Sequence, residues 1–443
     1  MDEQTFQLKY LEKIKNILDF AINNSYSDFY RKKYKGLGIK PENIKNYEDF
    51  QKIPFLTKDE ILETPLEERL FFPSENITHY AFSSGTVNQK KPLVCPHAIP
   101  ENFEKLKPPL KLIDDEQLKR LGTKNYIIIA PIFSSPFAIA IVPNRYATPI
   151  LGDTTNLKLS AIIAKEVSLS GIMTNPAALQ LFADQLQEVG FDKRKIKWIV
   201  LFGEMLSHQK FKIFKNQFPN AYIEIRYGNT ENVNGYNTMG YWCKFLNGEL
   251  INTFHILTSV YFIETISENG QPVAPGQSGE IVDTSLVPRA FPFIRYRHGD
   301  VGVITRKKCR CGNDDFLEII GHENYNELKY HGTIIHTKAI DTAMENVEDL
   351  VEPWFQMHVW EEMAGDKLMP KLKLNLLLKN KSNNNEKTKS IIQKTVSHNL
   401  FLTMNKTLEN LVENKTFLPL EIEFLDSIPK ETGKAKQIIS HLN

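Results

Sequence analysis

Residues 197–231 read KWIVLFGEMLSHQKFKIFKNQFPNAYIEIRYGNTE, and this stretch decides the fold class. Two apolar runs, KWIVLFG and YIEIRYG, have the composition of buried strands, and each ends in turn-forming residues. The segment between them, SHQKFKIFKNQFP, has the spacing of a helix. A strand, a helix and a second strand in this order indicate α/β architecture with a largely parallel sheet. Ligands of such sheets bind at the carboxyl ends of the strands, where GEM and YGNTE fall.

The same alternation of strand-like and helical runs extends over about residues 78–305. Before it, apolar residues at helical spacing predict a helical leader, in which Thr57 caps a helix that begins at Lys58. After about residue 320 the pattern changes to short strands and helices, including one last helix over about 387–412. We therefore expect an α/β protein with two domains. A large N-terminal domain with mainly parallel sheets covers residues 1–320, with its helical leader at 1–75, and a small α+β domain covers 321–443.

The composition excludes several classes of protein. The 443 residues include 54 Lys+Arg and 53 Asp+Glu, which gives a formal net charge of +1. This near balance argues against a nucleic-acid binder. Four cysteines are too few for a secreted disulfide scaffold. The charged N-terminus and the proline-interrupted apolar run at 126–143 predict no signal peptide and no membrane helix, so we expect a cytoplasmic protein.

Four motifs have the chemistry of a nucleotide site. The hydroxyls and amides of Ser83–Lys91 can surround phosphate, with lysines to offset its charge. Tyr227–Glu231 offers an aromatic face for a base and a carboxylate for Mg²⁺. Asp300 can accept ribose hydroxyls, and Lys434, on a glycine-containing loop, can stabilise developing negative charge. Taken singly, each motif is equally consistent with a polar surface turn.

Taken together and in this order, the motifs resemble those of the adenylate-forming (AMP-binding) superfamily, specifically its phenylacetate–coenzyme A ligase-like branch. The resemblance covers nearly the whole chain. AFSSGT is similar to the phosphate loop, YGNTE to the adenine and Mg²⁺ motif, GQSGEIVDTSL…FPFIRYRHGD to the strand and ribose segment, and IPKETGKAKQII to the terminal lysine loop. The resemblance implies a large adenylation domain and a small C-terminal domain that rotates as a mobile cap.

The resemblance also implies an activity. ATP with Mg²⁺ would activate a small aromatic or other hydrophobic carboxylic acid as acyl-AMP, and the acyl group would then pass to coenzyme A. No general base is needed, because the acid is ionised at neutral pH. Two alternatives stay open: a ligase whose acceptor is an amine or a carrier protein, and a catalytically weakened homologue that binds nucleotide or acyl groups. We expect no nucleic-acid or membrane partner, and a homodimer is left open.

Roles for individual residues follow from the same resemblance. The residues expected around the β- and γ-phosphates are Ser83, Ser84, Gly85, Thr86 and Lys91. Those expected to border the adenine are Gly203, Glu204 and Tyr227, and Gly228 is also expected to belong to the nucleotide site. Thr230 would contact the α-phosphate, Glu231 would hold Mg²⁺, and Asp300 would bind the ribose. Lys434 would stabilise the pentacovalent state as the carboxylate attacks the α-phosphorus and pyrophosphate leaves.

Three segments depart from the family pattern. The phosphate loop continues with Val87-Asn88-Gln89-Lys90 where the family has Thr-Gly-Lys-Pro, so it loses a flexible glycine. The hinge segment GHENYNELK at 321–329 lacks the arginine and the pair of aspartates of the family, which makes the second half-reaction the less certain one. IFSSPFAIA replaces a glycine-rich acyl-pocket segment. The residues expected to line the pocket are Phe133, Ser134, Ser135 and Phe137.

The cysteines form a separate motif. Cys309 and Cys311, in the sequence CRCG, resemble half of a metal knuckle, and Cys243 and His255 lie upstream. Together the four residues predict a structural Zn²⁺ site with three thiolates and one imidazole, and some members of the resembling branch carry such cysteines near the ribose motif. The alternative is a set of reduced, partly buried thiols. Cys95 stands apart and is expected to be structural.

Overall fold

The computed structural model describes residues 2–82, 93–98, 115–130, 146–203, 206, 208–231, 239–243, 251–322, 327–331, 333–403, 406–426 and 438–442. The chain divides into two compact units. The larger unit lies within Met1–Gly321, and the smaller is formed mainly by His322–Asn443. None of the helices in the described part of the chain combines the length and the apolar character needed to cross a membrane.

Short helices form the N-terminal leader of the larger unit. They are α1 (Glu3–Lys9), α2 (Leu11–Ile22), α3 (Phe29–Lys33), α4 (Tyr47–Gln51) and α5 (Lys58–Glu63). Thr57 caps α5 as predicted, because its side chain accepts from the Glu60 amide while the Glu60 carboxylate accepts from the Thr57 amide. The buried faces of the leader helices share one apolar core with Phe262, Phe291 and Phe293.

The described strands of the larger unit form a hairpin and a sheet of eleven strands. The hairpin strands are β1 (Ile77–Phe82) and β2 (Val94–Ala98). The sheet strands are β3 (Asn125–Ala130), β4 (Thr148–Asp153), β5 (Gly171–Thr174), β6 (Trp198–Phe202), β7 (Tyr222–Tyr227), β8 (Gly240–Tyr241), β9 (Thr253–Ile256), β10 (Tyr261–Ile266), β11 (Ser278–Ser285), β12 (Tyr296–Arg306) and β13 (Asp315–His322). Their order in the sheet is β10-β11-β12-β13-β9-β8-β7-β6-β5-β3-β4.

The half of this sheet from β4 to β7 is parallel, as the alternation of strands and helices predicts. The helices in its sequence are α6 (Asp115–Leu121), α7 (Leu157–Glu166), α8 (Pro176–Glu188) and α9 (His208–Gln217). Successive residues of β3 enter two different cores, because Ile127 packs with α7 and α8 while Ile128 packs with Leu118 of α6. The strands are therefore covered on both faces, which explains their continuous apolar sequences.

The other half of the sheet is antiparallel. β7 pairs with β8, β8 with β9, and β9 with β13 in antiparallel register, and β10, β11 and β12 form an antiparallel meander. Antiparallel neighbouring strands need no crossover helix, so the alternation of strands and helices that characterises the parallel half stops after β7. The two halves meet at β7 and β8, directly beside the YGNTE motif.

The smaller unit is an α+β structure. Its elements are β14 (Glu327–Tyr330), β15 (Thr333–His336), α10 (Thr337–Glu345), β16 (Val351–Ala364), β17 (Lys367–Leu378), α11 (Glu386–Asn399), β18 (Phe401–Thr403), β19 (Lys406–Thr407), α12 (Leu408–Glu413), β20 (Glu421–Phe424) and β21 (Ile438–Ser440). A sheet in the order β20-β17-β16-β21 buries alternate apolar residues, such as Met357 and Leu374, in one core with Ile392 of α11.

The predicted single helix over 387–412 is wrong. α11 ends at Asn399, and Leu400 has an extended backbone. Leu400 and Leu402 are both buried, and this alternation suits the short strand β18 rather than a further helical turn. A new helix, α12, then begins after Thr407, whose side chain forms a capping box with Asn410.

Arg295 links the leader to the sheet. Its side chain is 2% exposed and forms an ion pair of 3.2 Å with Glu264, whose side chain is 1% exposed. One guanidinium nitrogen of Arg295 also donates to the backbone oxygens of Gln51 and Ile53, at the end of α4. The Arg295 backbone has a φ of 50°, in the left-handed region that a non-glycine residue adopts only when its surroundings hold it there. Arg295 is therefore a structural residue of the IRYRHGD motif.

We expect Arg295→Met to destabilise the larger unit by roughly 3–5 kcal/mol, because the change leaves the Glu264 carboxylate buried without its partner. The measurement is the free energy of unfolding in urea. The matched control is Arg194→Met, which removes an arginine that pairs with Asp192 at the surface, where the side chains are 74% and 40% exposed. The control should change stability by less than about 1 kcal/mol. Equal effects of the two substitutions would contradict the structural role of Arg295.

Candidate functional site

A bulge in β12 forms the centre of the site. β11 and β12 pair at Glu280 with Val301 and again at Val282 with Arg297. Between these pairs β11 has one residue, Ile281, whereas β12 has three, at 298–300. Gly299 has a φ of 89°, a conformation that favours glycine and lets the strand make this detour. Bulges redirect side chains out of the regular strand alternation, and here the redirected residues are His298 and Asp300.

The imidazole of His298 lies between two carboxylates. Its Nδ1 is 3.3 Å from Oδ2 of Asp300, and its Nε2 is 3.7 Å from Oδ1 of Asp283. The His298 side chain is 2% exposed and that of Asp283 is fully buried, while the Asp300 side chain is 25% exposed. Burial alone would lower the pKa of His298, but the hydrogen bond and charge of Asp300, with the charges of Asp283 and Glu231, raise it to about 8.

Two hydroxyls connect β12 with the YGNTE motif. The Tyr227 hydroxyl donates to Oδ2 of Asp300 at 2.8 Å. The Tyr296 hydroxyl donates to Oε1 of Glu231 at 3.1 Å. Burial, reinforced by the neighbouring carboxylates, raises the pKa of both phenols well above the ordinary value, so both remain donors at neutral pH. The Tyr227 ring itself packs against Phe254, with its centroid 5.7 Å away.

The hairpin strand β2 contributes a second layer behind this motif. His97 is 4% exposed and hydrogen-bonds the backbone of Thr230. Burial, with smaller contributions from His79 and Arg289, lowers the pKa of His97 well below its usual value, so the ring is neutral. Burial and the charge of Glu231 raise the pKa of the Cys95 thiol, which is therefore unreactive at neutral pH. Cys95 belongs to this layer and lies outside the cluster of the other cysteines.

Cys243, His255, Cys309 and Cys311 form that cluster. One donor atom from each residue lies within 4.8 Å of the others. Sγ of Cys243 is 3.7 Å from Sγ of Cys309, and Sγ of Cys311 is 3.1 Å from Nε2 of His255. The elements that meet are the end of β8, strand β9 and the turn between β12 and β13. Three thiols and one imidazole converging in this way are the donor set of a closed tetrahedral zinc site.

The groups around the cysteine and histidine cluster favour the binding of a metal ion. Nδ1 of His255 lies 3.2 Å from the Asp315 backbone oxygen, which fixes the ring and directs Nε2 towards the thiols. Burial lowers the pKa of His255 and keeps it neutral, as a metal ligand requires. Gly312, with a φ of 86°, closes the knuckle through a 3.0 Å bond to the Cys309 carbonyl. Burial raises the pKa of Cys309, but hydrogen bonds from the backbone of Cys311 and Arg310 and from Cys243 lower it overall.

The structure brings together only part of the expected site. Tyr227 ends β7 and is followed by Gly228, Thr230 and Glu231, and the Tyr227 and Tyr296 hydroxyls link this segment to Asp300 and β12. Gly203, with a φ of 81°, directly follows β6. The other expected residues lie outside the described part of the chain. They are Ser83, Ser84, Gly85, Thr86 and Lys91 of the phosphate loop, Phe133, Ser134, Ser135 and Phe137 of the acyl pocket, Glu204, and Lys434.

Sequence reasoning missed Tyr296, His298, Asp283 and His97. The first two stand in the IRYRHGD motif beside Asp300, and their spacing of two residues along a strand could have suggested one shared face. Asp283 and His97 gave no local signal, because the groups they meet at the site, His298 and the Thr230 backbone, lie on other segments of the chain. Buried polar residues generally have hydrogen-bond partners, but the neighbouring sequence does not show which group on another segment is the partner.

The pKa of His298 predicts a pH-dependent contribution to stability. The folded-state pKa of about 8 exceeds the ordinary 6.5, so the contribution is fully present below pH 6.5 and is lost as the pH rises through 8. Between pH 6 and pH 9, wild type should lose about 2 kcal/mol more unfolding free energy than His298→Gln. The control His398→Gln, at a histidine that is 70% exposed, should follow wild type. Parallel losses in wild type and His298→Gln would refute the assigned charge.

Two curated relatives are similar to this chain over most of its length. The phenylacetate–coenzyme A ligase of Thermus thermophilus is 22% identical over 370 residues, which span 80% of this chain and 78% of that protein. The phenylacetate–coenzyme A ligase of Escherichia coli strain K12 is 20% identical over 440 residues, which span 96% of this chain and 93% of that protein. No protein-family model matches the chain.

Solved structures share the fold. A structure of 2-hydroxyisobutyryl-CoA ligase with 2-HIB-AMP and CoA in the thioesterification state covers 97% of this chain and 88% of that chain, with a TM-score of 0.64 and 17% identity. A structure of the same enzyme with 2-HIB-AMP in the postadenylation state has a TM-score of 0.59 over the same share of this chain. The relatives agree in name, and the motifs occur in the order of that family. The chain is therefore similar to phenylacetate–coenzyme A ligases over most of its length, and it has the fold of an adenylate-forming CoA ligase, as the order of its motifs leads us to expect.

Proposed function

We propose that the chain is an ATP-dependent acid–CoA ligase that activates a small aromatic or other hydrophobic carboxylic acid. The observation that carries this proposal is the meeting of Asp300, Tyr227, Thr230 and Glu231 at the carboxyl end of β7, held by two hydroxyl–carboxylate bonds. The aromatic class of acid is favoured by the phenylacetate–coenzyme A ligases among the relatives. Coenzyme A as acceptor is favoured by the same names and by the CoA in a structural neighbour.

In this proposal the two carboxylates at the site have different roles in binding the nucleotide. Asp300 is partly exposed and accepts the ribose hydroxyls, with its orientation maintained by the Tyr227 hydroxyl. Glu231 is 7% exposed, and no lysine or arginine forms an ion pair with it among the described residues. A buried carboxylate without a lysine or arginine partner fits Mg²⁺, which would offset the phosphate charge when bound. Thr230 then faces the α-phosphate.

The first half-reaction joins the acid to AMP. A carboxylate oxygen of the substrate forms a bond to the α-phosphorus while the bond from that phosphorus to the β-phosphate bridging oxygen breaks, and pyrophosphate leaves. The substrate carboxylate is already ionised, so the protein has to position the two reactants and stabilise the additional negative charge. We assign that stabilisation to Lys434. The phosphate-loop residues Ser83–Lys91 would hold the departing pyrophosphate.

Lys434→Ala should lower carboxylate-dependent ATP–pyrophosphate exchange by roughly 100-fold while ATP binding persists, because the change removes a charge needed mainly in the transition state. Exchange is measured across a panel of aromatic and aliphatic acids, and ATP binding by calorimetry. The matched control is Lys381→Ala, at a lysine of the smaller unit whose side chain is 79% exposed. Exchange that is unchanged in Lys434→Ala would remove its assigned role.

The same assay separates the alternatives. ATP binding without exchange for any acid would favour a weakened nucleotide- or acyl-binding homologue. Exchange without acyl-CoA formation would favour an amine or a carrier-protein thiol as acceptor, as the altered hinge segment at 321–329 suggests. Preference for aliphatic over aromatic acids would refute the aromatic class while leaving the ligase activity intact.

We further propose that Cys243, His255, Cys309 and Cys311 hold a structural Zn²⁺ ion. Four donors within 4.8 Å, a histidine oriented by a backbone carbonyl, and amides directed at a thiolate fit this ion. All four ligand positions come from the protein, so the ion would connect β8 and β9 to the turn after β12 rather than take part in the reaction.

Elemental analysis of protein purified without chelator should find about one Zn²⁺ per chain. Cys309→Ser combined with Cys311→Ser should remove most of it, because two thiolate ligands are lost together. Cys95→Ser is the control, since it changes a buried thiol outside the cluster, and it should retain the ion. Metal-free wild-type protein, or equal zinc in the double variant, would contradict the site.

A further inference from the structure

We infer that His298 is a positioning residue for ribose recognition: it orients the Asp300 carboxylate towards the nucleotide hydroxyls. This inference rests on the proposed function, because it takes Asp300 as the ribose-binding group. It goes beyond that proposal by assigning the nucleotide selectivity of the site to a buried residue that does not itself contact the substrate.

The bulge explains why His298 can reach Asp300 at all. Side chains two residues apart on a regular strand lie on one face but roughly 7 Å apart. The two extra residues of β12 opposite Ile281 shorten this separation, so that Nδ1 of His298 comes to 3.3 Å from Oδ2 of Asp300. The contact is therefore a consequence of the inserted residues and of the positive φ at Gly299.

The carboxylate of Asp300 is held through a single oxygen. Oδ2 accepts the Tyr227 hydroxyl at 2.8 Å and faces the His298 imidazole at 3.3 Å. Two groups approaching one oxygen from different elements restrict rotation of the carboxylate about its side-chain bonds. A carboxylate whose plane is set before the nucleotide arrives loses less entropy on binding and directs its acceptors at defined positions.

Asp283 supports His298 from the opposite side. Its Oδ1 is 3.7 Å from Nε2, and its side chain has no exposure. The arrangement Asp283–His298–Asp300 thus runs from the interior of the sheet to the partly exposed end of Asp300. Glu231, whose carboxylate accepts the Tyr296 hydroxyl, also acts on the imidazole through its charge. A cationic ring in this position also reduces the repulsion among the three carboxylates.

A histidine that only balances buried charge would affect every nucleotide equally. A positioning histidine instead affects the groups that Asp300 recognises. Removing it should weaken the binding of ATP, which carries both ribose hydroxyls, while analogues that lack a hydroxyl should lose little. Selectivity between ATP and its deoxy analogues is therefore the property that separates the two roles.

The test compares ATP with 2′-deoxyATP and 3′-deoxyATP by calorimetry and by exchange kinetics. Wild type should prefer ATP by roughly tenfold or more, as expected for a hydrogen bond to a charged group. Asp300→Asn should reduce this preference. His298→Ala should reduce it to a similar extent, mainly through the KM for ATP rather than kcat. The double variant should show no further loss, because both substitutions act on the same interaction.

His298→Gln tests the role without leaving a cavity. Glutamine keeps a donor at a similar reach, so it should retain more selectivity than alanine. Far-ultraviolet circular dichroism of each variant establishes that it is folded, and His398→Gln, at an exposed histidine, should bind all three nucleotides as wild type does.

Equal losses for ATP and both deoxy analogues in the folded variants would overturn the inference and leave His298 as a charge-balancing residue. A wild-type protein that binds ATP but does not discriminate against either analogue would overturn it as well, because Asp300 would then not recognise the ribose. Wild-type protein that binds no ATP would instead refute the proposed function. These outcomes distinguish failure of the positioning role from failure of the ligase activity.

Discussion

The buried imidazole of His298 interacts with three carboxylates, and the other residues of the candidate site lie around it. Asp283, Asp300 and Glu231 all interact with His298, and Asp283 has no exposed surface. Burying several like charges is costly unless a cation or hydrogen-bond donors compensate them. His298 supplies the cation, and the hydroxyls of Tyr227 and Tyr296 supply the donors. The bulge in β12 includes both His298 and Asp300.

A second polar network holds the opposite end of the same strand. β12 leads into the knuckle of Cys309 and Cys311, and Asp315, just beyond it, orients His255 through its backbone. The Asp315 carboxylate also pairs with Arg306 at 3.0 Å and with Lys9 of α1 at 3.0 Å. The leader, the knuckle and the end of β12 are thus coupled through one buried carboxylate.

Sequence reasoning succeeded where the signal is local. The apolar runs of β3, β5, β6 and β7, the cap at Thr57 and the order of the motifs can all be recognised within a few residues of the chain. The convergence of Cys243, His255, Cys309 and Cys311 was also anticipated, because thiols are rare in this chain and two of them form a knuckle motif. The structure then places their donor atoms close together.

The remainder depends on how strands and helices pair and pack in three dimensions. Nothing in the sequence of β12 indicates that Ile281 will face three residues, because that follows from its register with β11. The break between α11 and α12 was missed because the apolar residues Leu400 and Leu402 fit a helical and an extended pattern equally over so short a segment. The antiparallel half of the sheet lacks crossover helices, which are the feature that identifies parallel strands.

The residues of the IRYRHGD motif have different roles. Arg295 supports the leader from a strained backbone conformation, and Tyr296 and His298 are buried beside the carboxylates. Asp300 is more exposed than these three residues, with a side chain that is 25% exposed. A substitution screen that scores only lost activity would therefore rank Arg295 beside Asp300, although the first loss reflects unfolding and the second the ribose recognition that we propose for Asp300. A strong sequence motif can therefore mark a requirement for folding as well as one for chemistry, and assays of soluble yield are needed to tell the two apart.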